Sequence, residues 1–316
     1  MTRNSIISVA LAAVAATGFA ACGDDKDSSG SGSSGSSSGE KLSGTIAIDG
    51  SSTVFPYAQA AAELFREEQP DVNITVGESG TGGGFEKFCA GETDISNASR
   101  PIKDDEEVPV CEKAGIAYKE IHIANDGIAV VANPALGVEC MTTDQLKQLW
   151  ADDKVSDYGD LGVDGLSGKV SLYGPGTDSG TFDFFTDVIN GEEGVSRKDY
   201  QPSEDDNVLV QGVAGDQTGM GYFGFSYYEE NADKLKLVQV DGGDGCVEPS
   251  VETIQDNSYA PLSRPLFMYP SEKALARPEV KAFLDFVIAH ESEIAEAAQI
   301  VPLTDEQLTE AKGQLG

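Results

Sequence analysis

The sequence predicts an α/β fold with mainly parallel sheets. Three observations lead there. Strand-like and helix-like segments alternate through the body of the chain. Its 316 residues, 40% of them hydrophobic, can bury the cores of about two domains. Small or hydroxyl residues recur where a strand ends and a helix begins. This pattern argues against whole-chain disorder and against a β-sandwich, and it contains no solenoid repeat.

The first residues read as an address. Arg3 precedes an apolar stretch over 6–19 that has the length of a signal-peptide core and is short for a bilayer span. The stretch ends in Phe19-Ala20-Ala21-Cys22-Gly23, which resembles the lipobox of bacterial lipoproteins, with Phe19 where leucine is commonest. Residues 1–21 are therefore expected to be a signal peptide, and Cys22 the lipidated first residue of the mature chain. Residues 22–41 form a lipid-anchored Gly/Ser tether, whose low-complexity stretch over 23–40 has a root-mean-square reach of roughly 23 Å.

In the body, 44–49 reads as a short strand, 57–69 carries an apolar stripe at helical spacing (Ala58, Ala61, Ala62, Phe65), and 72–76 is extended again. Further strands are expected at 121–123, 128–132, 170–173, 235–240 and 266–269. Helices are expected at 84–90, 143–150, 181–190, 279–289, 291–298 and 305–315.

Cysteine usage agrees with export. Besides Cys22 there are four, Cys89, Cys111, Cys140 and Cys246, which permit three pairings. Cys89–Cys111 with Cys140–Cys246 is the favoured one. The 21 Lys and Arg against 54 Asp and Glu give a formal charge of −33, which excludes nonspecific binding of nucleic acid or anionic lipid by the body. Two histidines and no Cys/His cluster at ligand spacing leave little material for a metal enzyme, so no metal or cofactor is expected.

The junctions are the informative feature: Gly50-Ser51-Ser52-Thr53-Val54-Phe55-Pro56, Ser79-Gly80-Thr81-Gly82-Gly83-Gly84 and Gly176-Thr177-Asp178-Ser179-Gly180-Thr181. Helix N-termini present unpaired N–H groups and partial positive charge, glycine admits a ligand close to the backbone, and hydroxyls add donors. Taken singly, each is an ordinary cap and turn. Three converging would cradle an anion, although none matches a P-loop or a dinucleotide fingerprint. Arg100, between Ser99 and Pro101 in a chain with few cations, offers a donor fork suited to an oxyanion, or else a surface ion pair.

Those segments, together with Ala98-Ser99-Arg100-Pro101-Ile102, Gly174-Pro175-Gly176-Thr177-Asp178-Ser179-Gly180-Thr181-Phe182 and Gly219-Met220-Gly221-Tyr222-Phe223-Gly224, resemble the phosphate-binding proteins of high-affinity phosphate ABC importers, the PstS family. The similarity runs over roughly 42–301 and preserves motif order. It implies the two-lobed, type II periplasmic-binding-protein fold, with the ligand in a cleft between lobes.

Carried over by motif, Ser52, Thr53 and the N–H of Val54 grip one side of phosphate, and Thr81 adds a hydroxyl, with Ser79 weaker. Ser179, Gly180 and Thr181 bind from the opposite lobe, and Ser99 and Arg100 complete the first lobe's set. Two departures matter. Pro175 stands where many members have arginine, which Arg100 would replace, and Ser99 stands where many have aspartate. Another carboxylate must then accept the phosphate proton, with Asp178 first and Asp126 and Asp49 behind it. Asp178 reads equally well as a helix cap.

Chain crossings at 125–127 and 263–265 give lobe one as 42–126 plus 265–316 and lobe two as 127–264, with each disulfide internal to one lobe. The resemblance implies a monomer anchored outside the cytoplasm that captures inorganic phosphate, closes, and docks on a membrane permease without chemistry. The alternatives are a binder of sulfate or molybdate, or a secreted phosphatase. For the last, His122 and His290 belong to no recognisable site motif.

Overall fold

The computed structural model describes residues 41–152, 154–177 and 179–316. The expected signal peptide, the tether up to residue 40, Cys22 and Asp178 lie outside the described residues.

In chain order, the first lobe contains β1 (Gly44–Gly50), α1 (Phe55–Glu68), β2 (Val72–Val76), α2 (Gly80–Cys89), β3 (Ile95–Ala98) and α3 (Val108–Ala114), and the long β4 (Ile121–Ala132) leaves it. The second contains β5 (Cys140–Thr142), α4 (Thr143–Trp150), β6 (Ser171–Pro175), α5 (Gly180–Phe185), β7 (Gln201–Ser203), α6 (Asp206–Gly215), β8 (Gly219–Gly224), α7 (Phe225–Glu229), β9 (Lys236–Asp241), β10 (Cys246–Val247) and α8 (Val251–Gln255). The chain returns through β11 (Ser263–Pro270) to α9 (Glu272–Leu275), α10 (Pro278–Ala289), α11 (Glu291–Ala297) and α12 (Asp305–Leu315).

The strands run in the order β2-β1-β3-β11-β4-β8-β6-β7, with β9 also on β4. The start of β4 pairs with β11, and its end pairs with β8 and β9, so β4 belongs to both lobes. Separate cores accompany this division. One gathers Ile46, Tyr57, Phe65, Ile123, Leu266 and Phe283, and the other Val130, Trp150, Phe185, Leu209, Tyr222 and Val238.

Mainly parallel sheets were expected, but pairings are evenly mixed. β1 is parallel to β2 and β3, and β6 to β7 and β8, whereas β4 and β11 are antiparallel to each other and to their other neighbours β3, β8 and β9. The reason is connectivity. Each lobe is wound from parallel βα units, but a chain that leaves one lobe and comes back crosses in opposite directions.

Local sequence accounts for the elements that frame the cleft. In α1, Tyr57, Ala58, Ala61, Ala62 and Phe65 form the buried stripe, and Pro56 in the first turn gives up an N–H that a helix start does not use. The glycine-rich second junction is not a loop before α2 but its first turn, because helix starts at Gly80 rather than at 84. Cys89–Cys111 ties α2 to α3 and Cys140–Cys246 ties β5 to β10, the favoured pairing. Each such link typically contributes about 2–4 kcal/mol, largely by restricting the unfolded chain. Among the described residues no helix is long and apolar enough to cross a membrane.

One buried acid makes the first core sensitive to pH. Glu291 is 3% exposed and accepts the Leu303 N–H at 2.8 Å. Burial raises its carboxyl to about 7, against the opposing effect of that hydrogen bond. The folded chain therefore holds this proton more tightly than the unfolded chain, and stability declines as pH rises from 4.5 through about 7. Glu291→Gln should melt higher than the parent above about pH 7 and close to it near about pH 4.5. A melting difference that is constant across that range would show that Glu291 is not held protonated.

Candidate functional site

The first junction leaves β1 beside β3. Ser51 N–H donates to the Asn97 carbonyl at 3.0 Å, and Ser52 and Thr53 follow half-buried at the entry to α1. No side chain caps α1, whose N-cap is Val54, or α2, whose N-cap is Ser79, which leaves backbone N–H groups at both ends to point toward a ligand. The second junction packs against the first: a Cβ on Gly84 would lie 2.5 Å from the Gly50 Cα. Here Thr81 Oγ1 lies 3.0 Å from Ser99 Oγ and accepts the Ser99 N–H at 3.2 Å.

The third junction opens α5, which continues as a π-helical turn over Thr186–Asn190. Ser179 Oγ accepts the Thr181 N–H at 3.2 Å and caps this end. The first and third junctions meet. A Cβ on Gly180 would stand 2.6 Å from Thr53 N and Oγ1 and 2.7 Å from Ser52 Oγ. The φ of Gly180 is not in the left-handed region, so glycine is required here for space alone.

A cation is already at this meeting point. Arg264, opposite Asp126 in the β4–β11 crossing, donates from Nη2 to Thr53 Oγ1 at 2.6 Å and from Nε to Asp126 Oδ2 at 3.1 Å. Its guanidinium carbon lies 3.6 Å from the centre of the Phe184 ring. Burial lowers its pKa, opposed by Asp126, Asp183 and Asp187. Because Thr53 Oγ1 accepts from Arg264, the Thr53 proton is free to donate elsewhere.

One helical turn after Gly180 stands Asp183, whose carboxyl the neighbouring Ser52 hydroxyl acts to lower. Burial raises its carboxyl to about 6, with the charges of Glu193 and Glu78 adding to the effect and Arg264 and Ser52 opposing it.

The other sequence candidates are placed differently. Arg100 donates from Nη1 and Nη2 to Glu107 at 2.9 and 2.7 Å, and from Nη1 to the Pro101 carbonyl at 3.1 Å, so its fork is engaged within its own segment. The Glu107 hydrogen bond raises its pKa against burial. Asp49 accepts from Ser79 Oγ at 2.5 Å and from Lys87 Nζ at 2.7 Å. Burial acts to raise the Asp49 carboxyl, but Lys87 and Ser79 bring it below its ordinary value. Asp126 is the ion-pair partner of Arg264.

Sequence reading missed Arg264 and Asp183. Ser263-Arg264-Pro265 was read only as a crossing, although a cation at a lobe crossing in so acidic a chain was a usable signal. Asp183, three residues after Gly180, lies on the same helix face, inside the expected helix 181–190 and one residue past the motif that ends at Phe182.

Comparison with known proteins places the chain in a family. A PBP superfamily domain model matches residues 35–291. The Protein SphX of Synechococcus elongatus is 44% identical over 270 residues, covering 84% of this chain and 80% of that protein. The phosphate-binding protein PstS of Staphylococcus saprophyticus is 41% identical over 278 residues, covering 87% and 85%. The chain belongs to the PstS family. A crystal structure of a possible phosphate binding protein from Planctomyces limnophilus superimposes with a TM-score of 0.83 at 45% identity, covering 87% of this chain and 98% of that one. PstS proteins are binding proteins, not enzymes, and their two-lobed fold is the one seen here. Among the described residues no group of three or more His, Cys, Asp or Glu could hold a metal ion.

Proposed function

We propose that this protein captures inorganic phosphate between its lobes outside the cytoplasm and delivers it to the permease of an ABC importer. The observation that carries the reading is the meeting of two helix starts, at Ser52–Thr53 and at Gly180, around the Arg264 guanidinium. The uncapped N–H groups of the α1 start, the hydroxyls and one fixed cation suit a tetrahedral oxyanion, and Arg presents its donors in a planar fork. The relatives named for phosphate support the same ligand.

In this reading Ser52, Thr53 and Val54 N–H bind from lobe one with Thr81 and Ser99 behind them, Ser179, Gly180 and Thr181 bind from lobe two, and Arg264 takes the part expected of Arg100. Lobe one is 42–126 plus 265–316 and lobe two is 127–264. The β4–β11 pairing at Asp126 and Arg264 supports that division. Lipidation at Cys22 would hold a monomer at the membrane, where the closed form could meet the permease.

Calorimetry on purified, phosphate-stripped protein should give one phosphate per chain. A flat titration overturns the reading. The same preparation should not hydrolyse a chromogenic phosphate ester, and turnover would favour the phosphatase alternative.

A further inference from the structure

We propose that the groove behind the lobe crossing is the space the two lobes need in order to open, so that filling it sets the balance of open and closed forms from outside the ligand cleft. The proposal rests on the reading that the lobes close on phosphate and adds where that closure is controlled.

The crossing has a front and a back. Successive side chains of a strand point to opposite sides. In β4, Asp126 points to the cleft, where it holds Arg264, so Asn125 and Gly127 on either side of it face the back. Their contacts agree. Asn125 Nδ2 donates to the Pro302 carbonyl at 3.2 Å and to Gln307 Oε1 at 3.1 Å, and a Cβ on Gly127 would meet the Ile254 side chain of α8.

On this back face the lobes are tied together. Gln255 Nε2 of α8 donates to the Pro302 carbonyl at 2.9 Å, and Gln307 Nε2 of α12 donates to the Gln255 carbonyl at 2.9 Å. Val301 exchanges both backbone hydrogen bonds with Asn125, at 2.9 and 3.0 Å, and is buried in the core of lobe two, whereas Ile300 and Leu303 are buried in that of lobe one. The segment 300–303 is thus a further link between the lobes, beside β4 and β11, and it fixes the pivot.

A groove of about 300 Å³ begins at Pro302, beside this pivot, and extends to α11. Lobe two forms one wall, with Ser226 and Glu229 of α7 and Val251 of α8, and lobe one forms the other, with Ser292 and Glu296 of α11 and with Gln299. The Gln299 Nε2 to Glu230 Oε1 hydrogen bond, 3.2 Å, spans it.

In the structure the cleft in front is shut, since a Cβ on Gly180 would stand 2.6 Å from Thr53 N. A rotation about the crossing that parts these junctions in front must bring the groove walls together behind. The shut form is therefore the one in which the groove has room. Bulk placed there is compatible with the closed form and opposed to the open one. Apparent affinity scales with the fraction of molecules that are closed, so driving a minor closed form to completion tightens binding by the inverse of that fraction.

The test adds the bulk after folding. Ser292 is exposed on α11 and takes no part in the ligand cleft. Ser292→Cys is purified with its disulfides intact and alkylated with an aromatic maleimide on the folded chain, with wild type treated identically as the control. Before alkylation, solution scattering without ligand should give the wild-type radius of gyration. After alkylation it should give that of phosphate-bound wild type. Phosphate should then bind about tenfold more tightly and leave more slowly, for a closed form that is about a tenth of the unliganded population. An alkylated variant that stays as expanded as unliganded wild type, or binds phosphate no more tightly than wild type does, overturns this inference and leaves the phosphate reading in place. Compaction on alkylation in a protein that takes up no phosphate sustains control from the groove and overturns the phosphate reading instead.

Discussion

Replacing Arg264 by glutamine is expected to weaken phosphate binding by about a hundredfold or more, the largest loss for any single side chain of this cleft. The guanidinium is fixed from three sides, by Asp126 on the crossing, the Phe184 ring in lobe two and the Thr53 hydroxyl in lobe one. A hydrogen bond to a charged group contributes about 1.5–3 kcal/mol, and here removal would also leave the Asp126 carboxylate facing an anion without a counter-charge. Arg264→Lys should recover part of the affinity, since it keeps the charge but not a fork that reaches Thr53 and Asp126 together. Arg100→Ala should change affinity by less than about threefold, because its donors are engaged by Glu107, and should act on the α3 segment instead. Calorimetry on the three variants decides the matter. A loss at Arg100 comparable to that at Arg264 would move the binding cation back to the first lobe.

What could be read from the sequence followed from chemistry that acts locally. The Gly/Ser/Thr junctions announce helix starts because helix starts need those residues, and the first does meet both of the others, Gly50 against Gly84 and Ser52–Thr53 against Gly180. The stripe of α1 is visible because one face is apolar and the other is not. Central strands hide when their residues are chosen for tight approach. β8 is rich in glycine and was not read as a strand, yet a Cβ on Gly221 would stand 2.5 Å from the Tyr173 carbonyl, so its composition reflects close packing against β6. β3 was missed for a related reason, since it buries Ser96 and Asn97 in mid-sheet, where polarity reads as surface. Arg264 and Asp183 escaped because their roles depend on contacts across the cleft. Arg264 lies more than two hundred positions from Thr53, its hydrogen-bond partner, and Asp183 more than a hundred from Ser52, so no local pattern records either contact.

Gly180 carries the second large expectation, since adding a single carbon there should prevent closure. In Gly180→Ala the new Cβ would fall 2.6 Å from the Thr53 backbone N, a separation that real Cβ atoms essentially never show, and Thr53 Oγ1 and Ser52 Oγ crowd the same point. A side-chain tip could swing away, but the Thr53 N–H belongs to the start of α1, which is anchored by buried Tyr57, Ala58 and Phe65. The strain is therefore relieved most readily by separating the lobes along the β4–β11 crossing, and that pulls Ser179 and Thr181 away from Ser52 and Thr53. Affinity reports the fraction of molecules able to reach the closed form, so an open-biased variant binds more weakly by the same factor as that fraction falls, here about a hundredfold. The unliganded fold should not suffer, because alanine is the better helix former at the first residue of α5. The expected result is an unliganded melting temperature at or slightly above wild type, weak phosphate binding by calorimetry, and no decrease in radius of gyration on adding phosphate in solution scattering. Wild-type affinity with full compaction in Gly180→Ala would show that the two helix starts need not approach this closely to hold the anion.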